Sequence, residues 1–166
     1  VEISVKRIVR RSKTEKERTM NAQELWNKYK QINPSIGDAI DAWQFGAEAD
    51  LLAQLVLEGT KTATASAYDL YAVDNDPLPE VGSYDVVLDS KGQAVCIIQI
   101  KKVSVVPFDE VSAEHAFKEG EGDKSLAYWR AVHKDFFKPY YDEFGLTFNG
   151  ESLIVLEEFE VVYPTL

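Results

Sequence analysis

The chain has 166 residues, 45% hydrophobic and 11% aromatic, enough for one domain with its own core and short for two. Its formal charge of −10 is uneven, with seven Lys/Arg against three Glu in residues 1–19 and eleven against twenty-five in the rest, so the body repels a phosphate backbone at long range yet suits a small neutral substrate. One cysteine, two histidines, no long apolar run and no apolar leader weigh against disulfides, a cysteine-rich or zinc site, a membrane span and a secretory signal, which leads us to expect a cytoplasmic protein without metal or other cofactor.

Residues 1–19 form no periodic face and end just before Met20, so we read them as a basic extension preceding the natural start, with residues 20–166 as a single domain. Asn21, with Glu24 three positions on, predicts a capped helix through about Gln31 with Leu25, Trp26, Tyr29 and Ile32 on one face. Asn33-Pro34 breaks it. Residues 35–46 read as irregular and contain Trp43 and Phe45, as core plugs or as a wall for a flat ligand. Ala47 to Glu58 reads as a second helix, with Leu51, Leu52, Leu55 and Val56 inward and Gly59 at its C-terminal stop.

Thr60 to Ser66 reads as extended, because three threonines suit a strand better than a helix. A short helical turn follows over Ala67 to Tyr71, then a Pro- and Asp-rich loop from Val73 to Glu80. Tyr84–Leu88 and Ala94–Val106 read as a hairpin, the second strand bending where Gln99, Lys101 and Lys102 interrupt it. Cys96 lies in the apolar run and reads as core. Ser112 caps a short helix, Ala113–Lys118, and a glycine-punctuated acidic turn, Glu119-Gly120-Glu121-Gly122-Asp123, follows. Ser125 to Phe144 is the clearest helix, with Leu126, Trp129, His133, Phe136, Phe137, Tyr140 and Phe144 at three- and four-residue spacing and a kink or break at Pro139. Leu153–Tyr163 reads as a closing strand. Strands and helices without regular alternation predict an α+β fold around a small, partly closed barrel.

Three constellations carry candidate chemistry. Gly59 to Ser66 concentrates hydroxyls and one amine: a lysine such as Lys61 that takes the Thr64 proton would make that oxygen a nucleophile, and a polar helix-to-strand junction reads the same way. The acidic turn reads as acids, a metal site or a solvated turn; it lacks the calcium-loop pattern. Arg130 and His133 lie on one helix at a spacing that suits an anion or a carbonyl oxygen, or a structural ion pair.

Taken together, Gly59-x-Lys61-Thr62-x-Thr64, the upstream Trp43-x-Phe45-Gly46, the acidic turn and Trp129-Arg130-x-x-His133 resemble the ASCH domain (activating signal cointegrator homology), a member of the PUA-like superfamily. The resemblance covers about Ile36 to Tyr163. It implies an α+β, PUA-like mixed or antiparallel β-barrel with flanking helices and a cleft lined by the Lys61 segment. The superfamily is linked to RNA binding. A similar bacterial group hydrolyses the amide of N(4)-acetylcytidine, and carried over by motif Lys61 is the proton acceptor and Thr64 the nucleophile. Glu119, closing the pattern His115-Ala116-Phe117-Lys118-Glu119, is the proton donor. Trp43, Phe45, Thr62, Ser66, Tyr68, Glu121, Arg130 and His133 complete the implied binding site, with a nucleoside-like small molecule as ligand. RNA binding and metal-dependent RNA cleavage, the latter reported for another ASCH group, are the rival readings. Two departures bear on the substrate: Ser66 stands where the hydrolase group has an arginine, and the chain is longer. Arg130 is the candidate replacement cation.

Overall fold

A computed structural model of the chain describes residues 15–165. In chain order the elements are α1 (Glu15–Ile32), β1 (Asp41–Gln44), α2 (Ala49–Leu57), β2 (Ala63–Ala67), α3 (Tyr68–Asp74), β3 (Tyr84–Leu88), β4 (Ala94–Pro107), a 3-10 turn (Phe108–Glu110), α4 (Ala113–Glu119), α5 (Leu126–Glu143) and β5 (Leu153–Tyr163). The strands form one sheet in the order β1-β3-β4-β5-β2, curled into a half-barrel flanked by the helices. All neighbours are antiparallel except β1 and β3. This is the α+β architecture expected from the sequence.

The sheet alternates its side chains between two faces, and each face buries a different helix. Val86, Leu88 and Ile97 pack with Ala22, Trp26 and Tyr29 of α1. Val87, Cys96 and Ile98 point the other way, onto Leu52, Ala53 and Val56 of α2. At the far end Ala65, Ala67, Ile154 and Leu156 pack against Phe108, Trp129, Phe137 and Tyr141, under α4 and α5. Burial pushes the Cys96 thiol up to about 12, as suits a core cysteine. The expected bend in β4 is present: its pairing with β5 slips at Ile97/Ile98 and again around Lys101, which is passed over between Ile100 and Lys102.

Several expectations needed correction. The stretch read as irregular contains β1, a four-residue edge strand whose parallel partner β3 lies forty residues later. α1 begins at Glu15 and not at the expected Asn21 cap; residues 1–14 of the basic extension lie outside the described residues. Ile32, placed on the inner face of α1, is 69% exposed. Helix α5 is assigned without a break through Pro139; the Asp135 carbonyl, which loses its usual i+4 donor there, is on an exposed residue that water can serve. The inner face of α5 runs Trp129, Val132, His133, Phe137, Tyr141, so the spacing of four continues to Tyr141 while Tyr140 and Phe144 are exposed.

Candidate functional site

The site forms where two chain reversals meet. At the end of α2, Thr60 and Lys61 both donate their backbone N–H to the Leu55 carbonyl, at 3.0 Å each, which winds the chain off the helix and toward β2. Across from it, Ser112 caps α4 by accepting from the His115 N–H, and Ser125 caps α5 by accepting from that of Tyr128. The acidic turn joins these two helices. Asp123 belongs to this scaffold: its carboxylate accepts from Ser125, which holds its pKa below the usual carboxylate range. The two reversals are tied by the Thr62 N–H to the Lys118 carbonyl at 2.8 Å, and by Gly120, which lies directly on the Thr60 backbone. With φ of +71° and no room for a Cβ, that position requires glycine.

This closure buries a charged cluster. The Lys61 amine, on a residue 1% exposed, donates to the Ala63 carbonyl at 2.8 Å and to Glu121 Oε2 at 3.1 Å. Glu119 Oε1 and the Glu119 carbonyl each lie 3.4 Å away. The Phe45 ring centroid is 5.4 Å from the amine, a further favourable neighbour for a cation. Glu119 Oε2 accepts from His115 Nε2 at 2.9 Å and from the Trp129 indole N–H. His133 stacks on Trp129 with centroids 4.1 Å apart, and its Nδ1 donates to the Trp129 carbonyl at 2.7 Å. A carbonyl only accepts, so Nδ1 carries the proton. His133 Nε2 stands 3.6 Å from Glu119 Oε1, outside hydrogen-bond reach.

The two carboxyls are driven apart. Burial alone raises Glu119, but the charges of Lys61 and His133 and the His115 hydrogen bond outweigh it and hold this carboxyl well below the ordinary range. For Glu121 burial prevails, assisted by the neighbouring Glu119 charge, and its pKa is raised despite Lys61. Glu119 is thus a saturated anion, and Glu121 is the one of the pair that holds its proton to higher pH.

Beside the cluster is a pocket of about 10 Å³, lined by Glu119, Glu121, Tyr128, Trp129, Val132 and His133 among others. That is about the room of one water or one amino group. Two buried polar atoms on its walls, Glu121 Oε1 and His133 Nε2, have no hydrogen-bond partner within the protein. Among the described residues, no group of three His, Cys, Asp or Glu is arranged to hold a metal ion.

Lys61, Glu119, Glu121 and His133 therefore come together. The other expected site residues are distributed around them. Thr64 is buried in β2, directly opposite Glu157 of β5, on the sheet face away from Ala65 and Ala67; it does not line the pocket. Ser66 is buried on the same face as Thr64, with its hydroxyl 2.6 Å from that of Tyr71. Thr62 is a backbone tie. Trp43 and Phe45 pack edge-to-face on each other in the α2 core, 4% and 2% exposed, so neither offers an open stacking face. Tyr68 is exposed at the start of α3. Arg130 turns away, donating to the Asp109 carbonyl at 2.8 Å, and does not supply the missing cation. Sequence reasoning left His115 without an independent role, although its i,i+4 spacing to Glu119 on one helix was the available signal. Buried Glu157 gave no signal, lying in a run of mixed charged and apolar residues.

Among the described residues no helix is long and apolar enough to cross a membrane. A search of curated proteins finds no match. Among solved structures, the chain is similar to an ASCH domain from Lactobacillus crispatus, at 35% identity over 87% of this chain and 95% of that one, with a TM-score of 0.79. It is similar also to protein EF3133 from Enterococcus faecalis, at 34% identity over 87% and 89%, with a TM-score of 0.80. The ASCH domain model matches residues 41–163, which contain the buried cluster and all five strands, and the chain belongs to the ASCH domain family.

Proposed function

We propose that the chain is a small-molecule amidohydrolase acting on an acylated pyrimidine nucleoside or a similar amide, with the Lys61–Glu119–Glu121 cluster handling its protons. The observation that carries this reading is the contact of Lys61 with two carboxylates more than fifty residues away, in a buried site whose carboxyls have opposite pKa shifts. Such a split separates an acid from an anion at one pH. In this reading Thr64 is the nucleophile. Lys61 passes a proton to Glu121, 3.1 Å away, and then takes the Thr64 hydroxyl proton as that oxygen bonds to the acyl carbon. The C–N bond breaks, and the amine leaves with the proton from Glu121. Water then hydrolyses the threonine ester, giving the carboxylic acid and the free hydroxyl. The surroundings of Glu119 suit an anchor for Lys61 better than the donor role that the family pattern gives it.

The test is acetate release from N(4)-acetylcytidine and a panel of related acylated nucleosides. Wild type is expected to turn over at least one of them, and Thr64→Val, which keeps the shape of the side chain, to lose at least about a hundredfold in rate. Rates equal for the two proteins, or no release from any member of the panel, would sink the reading. RNA binding is the second reading, supported by membership of a PUA-like family.

A further inference from the structure

One buried carboxylate takes no part in the reaction above. Glu157 of β5 is 1% exposed and stands directly opposite Thr64 of β2, itself 1% exposed. Two residues along the same strands, the Phe159 N–H donates to the Thr62 carbonyl at 3.0 Å, so Thr64 and Glu157 form a hydrogen-bonded pair with Cα atoms about 5.5 Å apart. Opposite residues on adjacent strands share a face, and both side chains leave the sheet on the same side. The two faces are sorted by chemistry. Ala63, Ala65 and Ala67 occupy one, with Leu156 and Ile154 opposite the latter two. Thr64, Ser66 and Glu157 occupy the other, where the Ser66 hydroxyl lies 2.6 Å from that of Tyr71. Glu158, opposite Ala63, is met by Lys102 and Lys118 at 3.6 and 3.3 Å. Of two adjacent glutamates, one therefore meets surface lysines and the other is buried beside the nucleophile of the proposed reaction.

We infer that Glu157 is the base of the second half-reaction, the group that takes a proton from the water attacking the Thr64 ester. This rests on the hydrolase reading, which leaves that water without a base. The groups that serve the first half-reaction are spent by then. Lys61 has taken the Thr64 proton and is an ammonium again, with its three N–H groups directed to Ala63, Glu121 and Glu119 and no lone pair to offer. Glu121 has given its proton to the leaving amine and faces that ammonium. Glu119 is held by His115 and Trp129. Glu157 stands across the strand from the ester oxygen, at a separation that a glutamate side chain and one water span. The water oxygen bonds to the acyl carbon as one of its protons passes to the Glu157 carboxylate. The bond from that carbon to Thr64 Oγ breaks, and the same proton passes from Glu157 to Oγ. The products are the carboxylic acid and the free threonine hydroxyl, with Glu157 ionised as before.

The test uses the whole chain and whichever acylated nucleoside of the panel above wild type turns over fastest. Amine release is followed from the first turnover, and the protein is weighed intact and as peptides by mass spectrometry. Glu157→Gln keeps the shape of the side chain and removes the base. It should release one equivalent of amine per chain and then stall, with steady turnover at least about a hundredfold below wild type. The stalled protein should carry the mass of one acyl group on the peptide that contains Thr64, and wild type should not. A side chain needed only for folding would slow both halves together and trap nothing. Glu157→Asp keeps the buried carboxyl but draws it back by one methylene, and should trap the same species; melting curves decide which variant is read. Turnover equal to wild type overturns the inference, and so does a loss of turnover with no acyl group on Thr64; both leave the hydrolase reading standing if wild type is active. No release by wild type from any member of the panel removes the two together.

Discussion

Glu119 and Glu121 are two residues apart and touch the same lysine, yet they respond to burial in opposite ways. Glu119 has His115, Trp129 and Lys61 to satisfy it, and the neighbouring charges overcome the cost of desolvation. Glu121 has only Lys61, and desolvation prevails. The sign of each contribution to stability follows. Glu119, with a folded pKa below the ordinary 4.5, contributes stability present above that value and lost as pH falls through its folded pKa. Glu121 is raised, so the folded state binds the proton more tightly than the unfolded chain does. Its contribution is greatest below 4.5 and declines as pH rises toward its folded pKa. Glutamine at position 121 keeps the shape and an acceptor for Lys61 but does not titrate. Urea unfolding of wild type and Glu121→Gln across pH 4 to 8 should therefore show the variant gaining on wild type as pH rises, by at most about 1.4 kcal/mol per pH unit, then levelling off. A difference independent of pH would mean that Glu121 is not the proton-holding member of the pair.

At the scale of elements, the site depends on how closely the end of α2 meets the turn between α4 and α5. Two glycines separate backbone conformation from packing. Gly59 and Gly120 both have positive φ, +81° and +71°. A Cβ on Gly59 meets nothing within 4 Å, whereas one on Gly120 would lie 2.5 Å from the Thr60 carbonyl oxygen. Gly59→Ala should cost about 1 kcal/mol, the ordinary penalty of a left-handed alanine. Gly120→Ala should cost clearly more, about 3 kcal/mol or above, because the acidic turn must lift off the Thr60–Lys61 backbone and take Glu119 with it. Chemical denaturation of the two variants measures both; equal losses would show that the close approach is not a constraint. The elements differed in how far the sequence revealed them. β3 and β5 were legible to the residue, since each is a run of strand formers bounded by turn residues. β1 was not, because Asp41–Gln44 buries a single side chain fully and its pairing is set by β3. In β2 every residue is buried, and small residues on both faces leave no alternation to read.

For the whole molecule, the sheet order decides which distant segments become neighbours. β2 lies at an edge beside β5, and the Thr62 carbonyl accepts from the Phe159 N–H at 3.0 Å, which places the Lys61 loop beneath the acidic turn. No spacing in the sequence predicts that meeting. The two halves of the site were joined by their likeness to a family, and the carboxyl pair with opposite shifts became visible only once burial was known. The same view of the whole bears on RNA binding. The domain is acidic, and several of its surface lysines are locally paired: Lys101 with Glu160, Lys102 with Glu158, and Lys118 with Glu114 and Glu158. Paired lysines release few counterions when they meet a phosphate, so the body should contribute little salt-dependent affinity. The one concentration of unbalanced positive charge is in residues 1–19. Replacing Lys6, Arg7, Arg10, Arg11 and Lys13 by glutamine should therefore abolish whatever affinity the chain has for single-stranded RNA, and flatten its dependence on salt between about 50 and 200 mM. Fluorescence anisotropy with a labelled oligonucleotide measures both. Binding that survives those replacements with a steep salt slope would put a phosphate-binding surface on the domain itself, and the RNA reading would then displace the small-molecule one.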